Sequence, residues 1–226
     1  MKPIAAVLFL AATIGLAQTG RAQDDEVTSP PARVREHSVL LFNGKDFSGF
    51  TFHMKDNADP RQTWSATNGV IHCTGNPAGY LRTTQVFSNY FLTVEWRFVK
   101  IAPKADNTGI LVHIQPPDQV WPRCVQVQGK HGRQGDLFLM GGAESKEHQG
   151  MNANTPIPMR GDSLEKPVGE WNKSETICLR GKVDSFINGQ LVNGISECTV
   201  DSGYIGIQSE GAEIEIRAII FSPLKY

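Results

Sequence analysis

The sequence of 226 residues has little that would place it in a bilayer, on nucleic acid or in an α-helical fold. Its one sustained apolar run, Ile4 to Leu16, is 13 residues long, short of the roughly 20 that span a membrane as a helix. Net charge is −1, from 22 Lys and Arg against 23 Asp and Glu, and no basic tract stands out. That argues against nucleic acid and anionic membrane as partners. Cysteine is sparse: Cys73, Cys124, Cys178 and Cys198 lie 51, 54 and 20 residues apart, a spacing without the CxxC-type pair of a zinc site. After the apolar run, no stretch keeps the period of an amphipathic helix, and no fixed-period repeat is evident.

What is present begins with an export pattern. Met1-Lys2 gives a basic start, the apolar run follows, and Gly20 and Ala22 (or Gly15 and Ala17) fit the −3 and −1 positions of a signal-peptidase site. Residues 1–23 therefore read as a secretory signal peptide, with a periplasmic or extracellular location and no transmembrane segment after cleavage. No Cys near the cut suggests a lipoprotein. Residues 24–37 are polar and Pro-containing and read as a flexible leader. Residues 38–226 suffice for one β-domain with its own core. In an exported protein four cysteines permit two disulfides in three pairings. Cys178 with Cys198 is the most local pairing, and buried free thiols are an equal alternative at this size. Oligomeric state has no signature here.

Strand signals dominate the domain. Tyr90 to Ile101 alternates Leu92, Val94, Trp96 and Phe98 on one face with Thr93, Glu95 and Arg97 on the other. Asn107 to Ile114 and Cys124 to Gln128 repeat the alternation. Glu175 to Leu179, Val183 to Asn188, Gly203 to Gln208 and Ile214 to Phe221 supply four more strands. Asn68-Gly69 and Asn188-Gly189 are hairpin turn signals. Short strands between turn signals predict an all-β sandwich, barrel or jelly roll. Residues 141–171 lack any period, and a loop that long in a compact domain is more often functional than idle.

If the three central strands are neighbours, Glu95, Arg97, His113, Gln126 and Gln128 line one sheet surface. A solvated polar face and a sugar-binding face both fit that pattern. A sugar site needs hydrogen-bonding groups beside an aromatic wall, and Trp121, Phe138 and Tyr80 are candidates for the wall. His113 is a candidate general base, since imidazole titrates near neutral pH. His131 and Asp136 flank a Gly-rich turn that also carries Lys130.

The motifs LFNGKDFSGF, NGVIHCTGNPAGYLRT, YFLTVEWRF with NTGILVHI, VWPRCVQVQ, GDLFLMGG, EKPVGEWN, INGQLVN and GYIGIQSEGAEIEIR occur in that order over residues 38–226. Together they resemble the 3-keto-disaccharide hydrolase family, also described as 3-keto-glucoside 1,2-lyases and 3-keto-2-hydroxy-glucal hydratases. The resemblance implies a concanavalin-like jelly-roll sandwich of two antiparallel sheets, one of them concave and carrying the site. It also implies an exported bacterial protein acting on a small glycoside already oxidised at C3. A ketone at C3 acidifies the C2 hydrogen. A base takes that proton, the enolate expels the C1 substituent, and water can add to the resulting glucal.

Such an enzyme needs a base, a donor or cation for the enolate oxygen, and an acid for the leaving group. On this reading His113 is base or acid, Arg97 or Lys130 steadies the enolate, and Asp136 is a further catalytic candidate. Glu95, Gln126, Gln128, Trp121, His131 and Gln208 form the substrate-binding set. No cofactor is demanded, although a divalent cation would suit an enolate. The family pattern places a Glu where this chain has Gln126, and an amide is neither base nor nucleophile. A carbohydrate-binding module without turnover is therefore the alternative. An ordinary retaining glucanase is disfavoured, because its two carboxylates about 5–5.5 Å apart would fall where Val125-Gln126-Val127-Gln128 stands.

Overall fold

The computed structural model describes residues 37–225 except residue 105. The expected signal peptide, and all of the leader but its last residue, lie outside the described residues. Among these residues no helix is long and apolar enough to cross a membrane. Fifteen strands form in chain order: β1 (Val39–Leu40), β2 (Phe50–Met54), β3 (Trp64–Thr67), β4 (Val70–Cys73), β5 (Gly79–Thr83), β6 (Phe87–Ser88), β7 (Tyr90–Lys100), β8 (Asn107–Ile114), β9 (Cys124–Gln128), β10 (Leu137–Met140), β11 (Asn172–Leu179), β12 (Lys182–Ile187), β13 (Gln190–Ile195), β14 (Ser202–Glu210) and β15 (Glu213–Pro223).

Two antiparallel sheets result. One runs β13-β12-β11-β7-β15-β4-β3, with β1 on β15; the other runs β10-β9-β8-β14-β5-β2, with β6 on β14. This is the jelly-roll sandwich that the alternation and the family resemblance led us to expect. The turns follow from local chemistry. Asn68 (φ 54) with Gly69 (φ 80) joins β3 to β4, and Asn188 (φ 50) with Gly189 (φ 86) joins β12 to β13. Two successive positive φ values give the hairpin turn whose twist suits the flanking strands.

The core lies between the sheets. Leu92, Val94, Trp96 and Phe98 of β7 and Ile214, Ile216 and Ile219 of β15 face Ile110 and Val112 of β8, Val125 and Val127 of β9, and Ile205 and Ile207 of β14. Burying each such side chain contributes roughly 1.5–3 kcal/mol. The buried Trp96 indole is satisfied by Nε1 donating to Ser174 Oγ at 2.8 Å.

Two expectations are corrected here. First, the three central strands do not share a sheet: β7 belongs to the first and β8 and β9 to the second. Period-two alternation is identical in either sheet, so the sequence carries no mark of the crossover at residues 101–106. Glu95 and Arg97 therefore lie on the far side of the molecule from Gln126 and Gln128. There Arg217 Nε donates to Glu95 at 2.6 Å and Arg97 Nε to Glu215 at 2.7 Å, and both guanidiniums lie 4.5 Å from the Trp171 ring centre. Both residues belong to a row of cross-strand ion pairs.

Second, His113 is not on the polar face. Against Tyr204 to Gly206 of β14, β8 places Ile114 to Leu111, one residue more. His113 takes φ 60 at this bulge, so it turns inward beside Val112, the residue before it. Its ring packs edge-on against Tyr90 at 5.5 Å, and Nδ1 lies 3.2 Å from the Val200 carbonyl. A bulge slips the alternation by one residue, which removes His113 as base or acid. All four cysteines are free thiols, so no Cys178–Cys198 bond is present.

Burial lowers the His113 pKa from 6.5 to about 4. The unfolded chain then binds the proton more readily than the folded one between those values, so stability rises with pH across that window. The gap corresponds to roughly 3 kcal/mol. We expect urea unfolding at pH 7 and pH 4 to show that loss in the native protein, and His113→Gln to lack most of it; an unchanged pH dependence in the variant would show that the imidazole is not the cause.

Candidate functional site

The outer face of the second sheet is built from alternate residues whose neighbours are in the core. On β9, Val125 and Val127 point inward, which sends Gln126 and Gln128 outward. On β14, Ile205 and Ile207 are inside, which sends Gln208 and Glu210 outward. On β8 the outward positions are Asn107, Gly109 and Leu111; on β10 they are Phe138 and Met140.

Gln126 is the centre of this face. Its Nε2 donates to Gln128 Oε1 and to Gln208 Oε1, both at 3.0 Å, and the Gly129 amide donates to Gln128 Oε1 at 3.1 Å. An amide nitrogen has two hydrogens, so Gln126 uses both within the triad and fixes its two neighbours. The Nε2 atoms of Gln128 and Gln208 and the Oε1 of Gln126 meet no protein partner among the described residues. The triad exists because Gly109 lies beneath it: a Cβ there would be 2.6 Å from Gln126 Nε2.

Beside the triad stands a carboxylate that the sequence reading missed. Glu210 is half-buried, two residues beyond Gln208 on the same face and opposite Asn107. Its Oε2 accepts from Asn107 Nδ2 at 2.5 Å, and its Oε1 accepts no hydrogen bond among the described residues. Burial pushes its pKa up, against a lowering by the Lys130 ammonium. The signal was available, since the alternation that places Gln208 outward in GYIGIQSE places Glu210 outward too. A cleft of ≈ 460 Å³ opens over this face. It is lined by Trp121, Phe138, Gln126, Gln128, Asn107 and Glu210, with Asn154 of the 141–171 loop at its rim.

The loop that carries Trp121 is held by a second group that sequence reasoning missed. Asp118, in the same 115–123 loop, accepts from Arg82 Nε at 2.8 Å, from Arg82 Nη2 at 2.7 Å and from Tyr80 Oη at 2.9 Å. The Arg82 bonds hold the Asp118 carboxyl below the usual range, and burial pushes the Tyr80 phenol up. Tyr80 is fully buried under that loop, so it anchors the aromatic wall without being part of it.

The structure thus brings together Trp121, Gln126, Gln128 and Gln208, with Lys130 beside Glu210. It sets aside Asp136 and His131 as well as Glu95, Arg97 and His113. Asp136 is buried, and both its oxygens are taken, by the Met159 amide at 2.7 Å and Arg133 at 2.8 Å. His131 leans on Glu165, with Nδ1 2.8 Å from Oε1, away from the cleft lining. Among the described residues no three His, Cys, Asp or Glu side chains gather where they could hold a metal ion.

A Gly109→Ala substitution would push Gln126 off the sheet and break two hydrogen bonds, each contributing about 1 kcal/mol. We expect sugar affinity, read by titration calorimetry with a glycoside that is not turned over, to fall about tenfold or more, with the β-sheet circular dichroism retained. Undiminished affinity would mean that the amide triad does not contact the sugar.

The sequence profile of the 3-keto-alpha-glucoside-1,2-lyase-like domain matches residues 37–221. No curated protein matches the chain. Among solved structures, a "putative glycosyl hydrolase" from Parabacteroides distasonis ATCC 8503 is 21% identical with TM-score 0.61, over 83% of this chain and 94% of that one. The carbohydrate-binding module CBM66 from Bacillus subtilis is 12% identical with TM-score 0.54, over 78% and 95%. The VIP36 exoplasmic/lumenal domain bound to Ca2+ and Man3GlcNAc is 12% identical with TM-score 0.58, over 85% and 90%. At these identities the likeness to the solved structures is one of fold; the profile match, covering most of the chain, shows that this protein belongs to the 3-keto-alpha-glucoside-1,2-lyase-like domain family.

Proposed function

We propose that the outer face of the second sheet binds a glycoside oxidised at C3 and cleaves it by elimination, outside the cytoplasm. The observation that carries this reading is Glu210: a half-buried carboxylate with one unpartnered oxygen, at the edge of an amide triad and below an aromatic wall.

Glu210 takes the C2 proton, and the electron pair moves to the C3 oxygen as an enolate. The ketone then re-forms, a C1–C2 double bond appears, and the C1–O bond breaks with its electrons on the leaving oxygen. That oxygen takes a proton, supplied by the now-protonated Glu210 or by water. Gln126 holds the oxygen of Gln128 and leaves the Nε2 of that cleft-lining residue for a ligand, and a fixed donor of this kind suits an oxygen that gains charge. Lys130 supplies positive charge at the same end. Trp121 and Phe138 give the sugar ring an apolar wall. Water adding to the glucal would make the net reaction a hydrolysis. The divalent cation considered from the sequence has no cluster of three His, Cys, Asp or Glu ligands among the described residues.

A second reading has its own observation. The centre of the face is the Gln126 amide, which is neither base nor nucleophile, and a carbohydrate-binding module shares the fold. On that reading the same face binds sugar without turning it over.

The test is incubation of the mature protein with 3-keto-trehalose and a 3-keto-aryl-glucoside, with and without chelator, followed by mass spectrometry and proton NMR. Release of the aglycone with a 2-hydroxy-3-keto-glucal or its hydrate supports the enzyme; binding without release supports the module. If Glu210 is the base, Glu210→Gln lowers turnover by ~10²-fold or more. The pH dependence of kcat/KM then rises as Glu210 ionises, with its midpoint above the ordinary glutamate value of 4.5 because burial raises this carboxyl. Full activity in Glu210→Gln would remove it from the mechanism.

A further inference from the structure

Lys130 is the one charged side chain acting on Glu210 among the described residues, yet it is exposed and on a turn. An exposed lysine keeps much rotamer freedom, so its effect depends on how firmly the turn itself is held. The 129–131 backbone is tied to β8 on both sides of Asn107. The Gly129 amide donates to the Thr108 carbonyl and the His131 amide to the Asp106 carbonyl, each at 2.9 Å. Asn107 is the residue opposite Glu210 and donates to it. Lys130 therefore lies across Asn107 from Glu210.

The far side of the turn is held by one carboxylate that the catalytic reading leaves unused. Glu165 has a side chain only 5% exposed and collects three donors from the turn. His131 Nδ1 lies 2.8 Å from Oε1, the Gly132 amide donates to Oε2 at 2.9 Å, and Gln134 Nε2 donates to Oε2 as well. Gln134 is further fixed by Ser163, whose Oγ donates to its Oε1 at 3.1 Å. Glu165 in turn is anchored on the first sheet. Asn188 donates to the Leu164 carbonyl at 2.8 Å, and the Lys166 amide donates to Asn172 Oδ1 at 2.9 Å. The 141–171 loop ends by reaching from one sheet to the turn of the other.

We propose that Glu165 is a positioning residue: by gathering His131, Gly132 and Gln134 it holds the turn so that the Lys130 ammonium stays across Asn107 from Glu210. The consequence for turnover rests on the reading of Glu210 as the base, but the positioning itself does not. The sign of the effect separates positioning from plain electrostatics. Glu165→Gln removes a negative charge, and by direct Coulomb interaction that would lower the pKa of another carboxyl. Releasing Lys130 removes the positive charge that favours ionised Glu210, and that raises it.

The test is a carbon-13 NMR pH titration of the Glu210 side-chain carboxyl, its signal assigned by its loss in Glu210→Gln. Lys130→Met should raise the Glu210 midpoint by roughly half a pH unit, the size expected of an exposed charge partner. Glu165→Gln should raise it in the same direction. With Lys130→Met already present, Glu165→Gln should add nothing. Gln134→Leu, which loosens the same turn without a change of charge, should reproduce the rise and keeps the test open if Glu165→Gln fails to fold. A fall or no change in Glu165→Gln and in Gln134→Leu, or an effect of Glu165→Gln that persists beside Lys130→Met, would overturn the proposal. Because NMR reads the carboxyl without substrate, an inactive protein would count against the proposed reaction and leave this answer standing. In an active protein the acid limb of kcat/KM moves up by the same amount as the NMR midpoint.

Discussion

Gln126 lies over the bare backbone of Gly109, and the chemistry of the outer face follows from that contact. A side chain at residue 109 would occupy the space of the amide nitrogen. With the space open, one NH2 group binds two glutamine oxygens at 3.0 Å and turns their nitrogens to other partners. Buried polar groups are tolerated when they satisfy one another, and here the internal satisfaction also sets which atoms remain for a ligand. A carboxylate at residue 126 would accept hydrogen bonds and donate none, so the same three positions could not form this network. The chain has a self-consistent amide patch at the centre of the face, and the ionisable group of the face stands two strands away, on Glu210.

Much of this was legible in the sequence. Leu92 to Phe98 announced the buried face of β7, and Asn188-Gly189 announced a hairpin. Gln126, Gln128 and Trp121 were named from alternation and from the need for an aromatic wall, and all three line the cleft. What failed did so for two physical reasons. Alternation has a period of two in any sheet, so it could not tell that β7 lies in the opposite sheet from β8 and β9, and Glu95 and Arg97 were misplaced with it. One extra residue in β8 inverts the alternation from His113 onward, and bulges leave no sure mark in sequence. Asp118 went unnoticed because its partners are 36 and 38 residues away in the chain.

The loops divide their work between the sheets. Residues 115–123 are clamped by Asp118 on Arg82 and Tyr80 and carry Trp121 over the face. Residues 141–171 close one rim of the cleft at Asn154 and finish at Glu165, against the turn that bears Lys130. Trp121, Asn154 and Lys130 thus come from loops, and ion pairs and hydrogen bonds to rigid strands hold those loops. The outer face of the first sheet shows the contrast, since its charges pair across strands and leave little unbalanced.

The four thiols have a consequence of their own. Cys73, Cys124 and Cys178 are buried and Cys198 is half-buried. Burial pushes Cys73 up to about 11 and Cys178 and Cys198 to about 12, and Cys124 is pushed up as well. The thiolate is the reactive form, so at neutral pH the folded protein offers almost none to oxidants or alkylating reagents. Each thiol becomes reactive when its surroundings open. Four cysteines spread over β4, β9, β11 and the segment after β13 therefore act as built-in clocks, and the order in which they are alkylated records the order in which the sandwich comes apart.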